Sequence, residues 1–440
     1  MDAGHSGWPV PDGKRADGMS RIAVIGTGYV GLTTGACFSH LGHEVVCADI
    51  DAAKIKRLNA GEIPIVEAGV DKLVAEGLAS GRLTFVVGAA KAAATAEFAY
   101  LCVPTPQGAD GSADLSYIEA AARQIAEVLP AEAIVVNKST VPVGSTKVVE
   151  RVLNRPDVRV VSNPEFLREG SAVHDFLHPD RIVIGADDQA AAIKVASLYL
   201  GIPAPLIVTD PASAETIKYA ANAFLATKLS FVNAVAAVCE AVGADVNDVV
   251  LGIGYDKRIG QEFLRPGPGW GGSCFPKDTR ALVKIAEDHG YDFDLLKGVI
   301  TVNDQQRQRV VDKIERAAGG SLAGTTVGVW GLTFKARTDD LRESPSIAIA
   351  AELVRRGARV QAFDPTVDGP LDDILVCADL YSATQGVDVL AVLTEWDEFR
   401  WVDIDKVARL MKGTNVVDAR NLLERNAWRR AGLRVEGSGR

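Results

Sequence analysis

The 440-residue chain is longer than one hydrophobic core usually serves, and 48 % of it is hydrophobic, so it reads as two or three folded domains. A net charge of −10 with scattered Lys and Arg leaves no basic tract to neutralise phosphates, which argues against nucleic acid as a partner. Apolar runs such as Ile134 to Val136 and Val389 to Leu393 are strand-length, well short of the ~20 residues of a membrane helix, so no membrane association is expected.

The first 18 residues carry Gly, Pro and charges ahead of Met19, without the apolar centre of a signal peptide. Residues 1–20 read as a disordered extension, or as lying upstream of a start at Met19, in a cytoplasmic protein. Six cysteines (Cys37, Cys47, Cys102, Cys239, Cys274, Cys377) lie far apart, with no C-x-x-C pair and no clustered His. They suit reduced thiols, with no metal expected and five of the six as small core residues.

From Arg21 the chain reads strand (Ile22 to Ile25), glycine turn, helix and strand (Glu44 to Ala48), closed by Asp49. Strand-like runs follow at Phe85 to Val87, Phe98 to Val103, Ile134 to Asn137, Val158 to Ser162 and Arg181 to Gly185, separated by Ala-rich helical stretches. That alternation predicts a doubly wound, mostly parallel α/β domain over residues 21–205. From Asp210 to about Val242 no turn signal occurs, and Asp210 before Pro211 is a suitable N-cap, so one long helix is expected. Helical sequence continues at Val246 to Leu251 and from Asp278 to Ala318, interrupted by a Gly/Pro-rich loop from Gly260 to Gly272. Residues 206–320 read as a helical segment that can also supply a dimer face. Alternation restarts at Thr326 to Trp330, with a helix from Ser344 to Arg356 and strands at Arg359 to Phe363, Val389 to Leu393 and Asn415 to Val417. This second Rossmann-like α/β domain, 321–435, keeps only Gly328 and Gly331 of a glycine fingerprint, so no second dinucleotide is expected there.

The run Gly26-Thr27-Gly28-Tyr29-Val30-Gly31 follows a strand and opens a helix, and Asp49 falls 18 residues after Gly31. Glycines there permit a tight turn and close approach of a pyrophosphate to helix N–H groups, while the acid takes ribose hydroxyls. Asp49, with no Arg beside it, favours NAD over NADP because a carboxylate repels a 2′-phosphate; Lys54 is a nearby cation that weighs against it. Lys218 and Asn222, four apart on the long helix, share one face. Alone, that pair suits a solvated lysine beside a polar stripe better than a site. Cys274 lies in Gly269-Trp-Gly-Gly-Ser-Cys-Phe-Pro-Lys-Asp278, poor material for a core element. Pro276, Lys277 and Asp278 resemble a helix start, which places Cys274 beside a helix N-terminus and a cation, both of which favour thiolate. The loops Lys138 to Gly144 and Asn163 to Gly170 follow strands of the first domain, at the edge where open α/β sheets bind ligands.

These motifs, with Val103-Pro-Thr-Pro106, Lys218 to Asn233, Gly267 to Asp278 and Phe334 to Pro345, resemble in order and spacing the UDP-glucose 6-dehydrogenases of the UDP-glucose/GDP-mannose dehydrogenase family. The resemblance spans residues 21 to about 425. It implies an NAD-binding domain, a central dimerisation segment and a UDP-binding domain, with UDP-glucose oxidised to UDP-glucuronate by two NAD⁺ through a Cys274 thiohemiacetal and thioester. Carried over residue by residue, Lys218 and Asn222 would stabilise the oxyanion, Thr140 and Asp278 position the attacking water, and Glu165 act as general base. Cofactor contacts would come from the glycine turn, Asp49, Lys54, Val103, Thr105, Pro106, Ser139, Thr140, Glu169, Cys274, Lys277 and Arg342. Substrate contacts would come from Glu165, Phe166, Leu167, Arg168, Glu169, Lys218, Asn222, Phe263, Leu264, Arg265, Gly269, Trp270, Gly271, Phe334, Lys335 and Arg420, with Arg258 reaching the sugar of a neighbouring subunit in a homodimer. Gly144-Ser145-Thr146 and Trp270 are mild departures from the family pattern. Rival readings are GDP-mannose or UDP-N-acetylmannosamine oxidation by the same mechanism, and a non-catalytic nucleotide-sugar or NAD-binding protein. The cysteine loop and His174-Asp-Phe-Leu-His-Pro-Asp180 resemble the UDP-glucose group more closely.

Overall fold

The computed structural model describes residues 19–108 and 111–440; residues 1–18, most of the expected N-terminal extension, lie outside them. By compactness the chain divides between Tyr219 and Ala220, inside the long helix, into two units.

The first unit carries an eight-stranded sheet: β1 (Arg21–Ile25), β2 (Glu44–Asp49), β3 (Leu83–Val87), β4 (Phe98–Leu101), β5 (Ile134–Asn137), β6 (Arg159–Ser162), β7 (Ile182–Gly185) and β8 (Leu206–Thr209). Its order is β3-β2-β1-β4-β5-β6-β7-β8. All neighbours run parallel except β6 and β7, which meet antiparallel at Ser162 and Gly185. Alternate residues of β1 enter different cores, Ile22 and Val24 on one face and Ala23 and Ile25 on the other. A sheet buried on both faces accounts for the nearly unbroken apolar character of its inner strands. The sheet does not stop at the boundary expected near residue 205. Leu206–Thr209 adds β8 beside β7, and its half-exposed side chains mark it as an edge.

The second unit contains a six-stranded parallel sheet: β9 (Thr326–Trp330), β10 (Arg359–Phe363), β11 (Ile374–Val376), β12 (Val389–Val392), β13 (Asn415–Asp418) and β14 (Arg434–Gly437). The order β11-β10-β9-β12-β13-β14 repeats that of the first six strands of the other sheet. Val327 and Val329 face one core, and Trp330 packs with Phe399 and Trp428 in the other. The repeat extends to a detail. At the end of β2 Asp49 Oδ2 accepts from Thr27 N and Oγ1, and at the end of β10 Asp364 Oδ2 accepts from Thr333 N and Oγ1.

The long helix covers Pro211–Val242, with Asp210 accepting from Ser213 N at 2.8 Å as the expected cap. By length and composition this helix could cross a membrane, so the expectation that no segment approaches that length is corrected. The apolar run is broken by polar groups held inside the protein, Lys218, Asn222 and Asn233 among them. The stretch expected to be helical from Asp278 to Ala318 is two helices, Phe275–Asp288 and Asp294–Ala317, parted at Gly290, whose φ of +80° a side chain would resist. All six cysteines are free; four are buried, while Cys274 and Cys377 are half-buried, so Cys377 is not the full core residue expected.

Candidate active site

The glycine turn between β1 and the helix Tyr29–His40 is shaped by contacts that exclude side chains. Gly26 has φ +97°, and a Cβ on it would lie 2.7 Å from Cys102 O; one on Gly31 would lie 1.9 Å from Gly26 O. A Cβ on Gly28 would meet nothing within 4 Å. The first and third glycines are therefore demanded by the protein's own packing, while the second faces open space. Gly28 also stands at the N-cap without a capping side chain, so the helix start presents its N–H groups to that space, as a pyrophosphate needs.

Asp49 Oδ2 accepts from Thr27 N at 3.0 Å, Thr27 Oγ1 at 2.6 Å and Lys54 Nζ at 3.2 Å. Partial burial pushes its carboxyl up, but the Thr27 and Asp51 hydrogen bonds and the Lys54 charge outweigh that and bring it down to about 2. Oδ1 takes a 3.2 Å bond from Asp51 N and has capacity left for a ribose hydroxyl. Lys54 is drawn to Asp49 in an ion pair, which offsets its attraction for a 2′-phosphate. These residues fit NAD.

Two loops at the carboxyl edge follow β5 and β6. Ser139 Oγ donates to Val103 O at 2.6 Å and Thr105 Oγ1 to Thr140 O at 2.8 Å, joining the Val103–Pro106 turn to the Ser139–Thr140 loop. After β6, Glu165 Oε1 forms a 2.9 Å ion pair with Lys218 Nζ, and both side chains are nearly inaccessible, 3 % and 4 %. Glu165 Oε2 accepts from Leu167 N at 2.6 Å. The solvated-lysine reading of Lys218 therefore falls. Phe166 lies between two cations, with Arg181 stacked 3.6 Å from its ring centre and Lys218 Nζ at 5.4 Å. Glu169 is buried, and its neighbour Gly170 donates to Glu67 Oε2 at 2.7 Å. Arg168 instead turns outward to Asp175, at 2.6 Å.

In the second unit Cys274 is the N-cap of Phe275–Asp288, half-buried, with its Sγ 3.6 Å from Ser273 Oγ. One turn inside the helix, fully buried Asp278 accepts from Asn222 Nδ2 and from Lys277 Nζ, each at 2.6 Å. Asn222 and Asp278, singled out separately, are thus partners, and the second carboxylate oxygen is held by the cation expected next to the thiol.

The loop ahead of Cys274 is clamped. Asn303 Oδ1 accepts from Trp270 N at 2.8 Å and its Nδ2 donates to Trp270 O at 3.1 Å, while Trp270 Nε1 donates to Ser230 Oγ at 2.9 Å. A Cβ on Gly271 would lie 2.0 Å from Glu343 O, and one on Gly272 2.8 Å from the Phe334 ring. Arg420 donates to Phe334 O at 3.0 Å and Leu393 O at 2.8 Å, joining Phe334 to the end of β12. Lys335 Nζ lies 5.7 Å from the Phe334 ring centre. Leu264 is buried and Arg265 exposed, while Phe263 has φ +61° and packs 6.2 Å from Phe275. Arg258 and Arg342 stand apart: each is exposed and grips a carboxylate two residues away, Asp256 and Asp340.

Sequence reasoning missed several residues that hold this arrangement. Glu215, one turn before Lys218, accepts from Gly144 N at 2.6 Å, Thr146 N at 3.0 Å and Thr146 Oγ1 at 2.8 Å, capping the helix Ser145–Leu153 in place of a local side chain. Burial pushes its carboxyl up despite those bonds. Asn303 and Arg181 were likewise unmarked. Nothing local signals them, because their partners, Trp270 and Phe166, lie in other segments of the chain.

The comparisons with known proteins cover nearly the whole chain. Residues 20–202 match the NAD binding domain of the UDP-glucose/GDP-mannose dehydrogenase family, residues 212–305 its central domain and residues 328–425 its UDP binding domain. A UDP-glucose 6-dehydrogenase of Rhizobium meliloti (strain 1021) is 48 % identical over 436 residues, 96 % of this chain and 99 % of that one. Among solved structures, a UDP-glucose dehydrogenase from the hyperthermophilic archaeon Pyrobaculum islandicum has a TM-score of 0.88 at 38 % identity, covering 98 % of this chain and 100 % of its own. A UDP-D-ManNAc dehydrogenase from Pyrococcus horikoshii has a TM-score of 0.86 at 28 % identity, covering 96 % and 99 %.

Proposed function

The chain belongs to the UDP-glucose/GDP-mannose dehydrogenase family, and from that premise we propose that it oxidises UDP-glucose to UDP-glucuronate with two NAD⁺ and one water per sugar. The observation that carries the reading is the half-buried Cys274 at a helix N-terminus, one turn from Asp278 held by Asn222 and Lys277. A single alcohol oxidation needs no thiol. A four-electron oxidation does, because a free aldehyde donates hydride poorly. NAD supplies the hydride acceptor in both steps.

The chain's own groups then divide the work. Cys274 as thiolate adds to the aldehyde carbon, and the thiohemiacetal becomes a thioester when its C–H hydride leaves. Lys218 and Asn222 stabilise the oxyanion as cation and amide donor. In hydrolysis the water oxygen bonds to the acyl carbon, the C–S bond breaks, Cys274 leaves as thiolate and Glu165 takes the water proton, with Thr140 and Asp278 orienting the water. The glycine turn, Asp49 and the Ser139–Thr140 loop hold NAD, and the segment 263–271 with Phe334, Lys335 and Arg420 holds the nucleotide sugar. The three matched segments support a three-part division at about residues 205 and 320.

A homodimer belongs to the same reading. Phe224, Phe231, Val238 and Val242 are exposed at near-heptad spacing along the long helix, which supports a face for a second copy. Free thiols agree with a cytoplasmic setting. The test is stoichiometry: two NADH per UDP-glucose, with Cys274→Ser abolishing carboxylate while sugar still binds. One NADH per sugar with released aldehyde refutes it. Running GDP-mannose and UDP-N-acetylmannosamine beside UDP-glucose decides the sugar, for which the 48 % identity to a UDP-glucose 6-dehydrogenase is the present support.

A further inference from the structure

We propose that Lys138 is a positioning residue for thioester hydrolysis, acting through Asn163 on the turn that presents Glu165; this rests on the roles given above to Cys274 and Glu165. Lys138 is 5 % exposed. Its ammonium donates to Asn163 Oδ1 at 3.2 Å and Tyr199 OH at 3.3 Å, and lies 5.9 Å and 5.7 Å from the ring centres of Phe176 and Tyr199. Among the described residues no carboxylate comes within ion-pair distance of it. That ammonium is met by an amide, a phenol and two ring faces, so Asn163 and Tyr199 set where it sits.

What Lys138 holds is informative. Asn163 Oδ1 also accepts from Tyr199 OH at 2.5 Å, Asn163 Nδ2 donates to Val183 O at 2.8 Å, and Asn163 N donates to Asn137 O at 2.9 Å. Asn163 is thereby fixed to β5, to β7 and to Tyr199 together. Only Pro164 separates it from Glu165. The proline ring locks its own φ and restricts the residue before it, so few soft dihedrals remain between the clamped amide and the carboxylate. Both charges also reach the thiol of Cys102, which burial pushes up, Lys138 draws down and Glu165 pushes up again, to about 12 in all.

The experiment compares Lys138→Met with wild type, using Glu165→Gln as the reference for blocked hydrolysis. Enzyme is mixed with UDP-glucose and NAD, NADH formed in the first turnover is followed by stopped flow, and acyl-enzyme on Cys274 is read by intact-mass spectrometry. The expected result is a first-turnover NADH burst within about twofold of wild type, an unchanged KM for NAD, and hydrolysis slowed about 10- to 100-fold, with the acyl adduct accumulating as in Glu165→Gln. Lys138→Arg, which keeps the cation, should recover most of the hydrolysis rate. A general loss in which burst and hydrolysis fall together, or no adduct in Lys138→Met while Glu165→Gln accumulates it, overturns the proposal. Absence of adduct in Glu165→Gln itself refutes the role of Glu165, and the proposal falls with it. If Lys138→Met is too unstable, Lys138→Leu, which likewise removes the donor to Asn163, reads the same partition.

Discussion

The Glu165–Lys218 pair allows a quantitative test of what holds the first unit's edge together. Two nearly inaccessible charges 2.9 Å apart are stable only together. Replacing Lys218 by Met leaves the carboxylate buried with the Leu167 N–H and without its ion-pair partner, a loss expected to cost about 3–5 kcal/mol. Glu165→Gln should cost less, about 1–2 kcal/mol, because the amide oxygen still accepts from Lys218. The double variant Glu165→Leu with Lys218→Met, which replaces the pair by apolar groups, should recover much of the loss and show a coupling of more than about 1 kcal/mol. Amide hydrogen exchange of peptides covering 163–170 and 212–219 reads this locally, without assuming that both units unfold together. Protection in Lys218→Met should fall on the order of a hundredfold or more, since each 1.4 kcal/mol is a factor of about ten. A loss below about 1 kcal/mol with additive variants would mean the carboxylate finds its compensation elsewhere, and the argument from burial would be wrong.

Three further outcomes follow from the geometry. Gly31→Ala places a methyl 1.9 Å from Gly26 O and should lower the melting temperature sharply, whereas Gly28→Ala, with nothing within 4 Å, should leave folding intact and raise the KM for NAD at least about tenfold; equal melting points for the two would refute the assignment. Asp49, held at about 2, stays ionised across the working range, so its stabilisation is fully present above the unfolded carboxyl value and is lost only as pH falls through about 2. Asp49→Ser should therefore raise kcat/KM for NADP relative to NAD at any pH from about 5 to 9, and an unchanged ratio contradicts the ribose role. Glu215 is displaced in the opposite sense by burial, so its ionised form carries a stability penalty that appears as pH rises through its raised value. Glu215→Gln should flatten that pH dependence near the acid end while weakening the cap on Ser145–Leu153, measured by thermal denaturation across pH; an unaltered profile would mean that the titration lies elsewhere.

Strand positions were legible where burial is two-sided. β5, β9 and β12 stand where alternation with helices put them, because a strand covered on both faces must be apolar nearly throughout. The edges β8, β11 and β14 were not expected, since a short, partly exposed strand has no comparable pattern. The break at Gly290 went unread because neighbouring stretches of amphipathic sequence merge into one apparent period.

The centre of the candidate site was named from local motifs, namely the glycine turn, the cysteine at a helix start, and a cation and an amide one helical turn apart, while Phe334, Lys335, Arg342 and Arg420 came only from the family resemblance. Those motifs are local because tight turns and helix starts impose their chemistry on consecutive residues. Which charge answers which was settled only by the tertiary structure. It pairs Lys218 with Glu165, gives Asp278 to Asn222 and Lys277, turns Arg168 to Asp175, and buries Lys138 beside Asn163 and Tyr199. Spacing along a helix or loop fixes which side chains share a face. The partner that crosses from another strand or helix depends on how distant segments pack, and no local pattern encodes it.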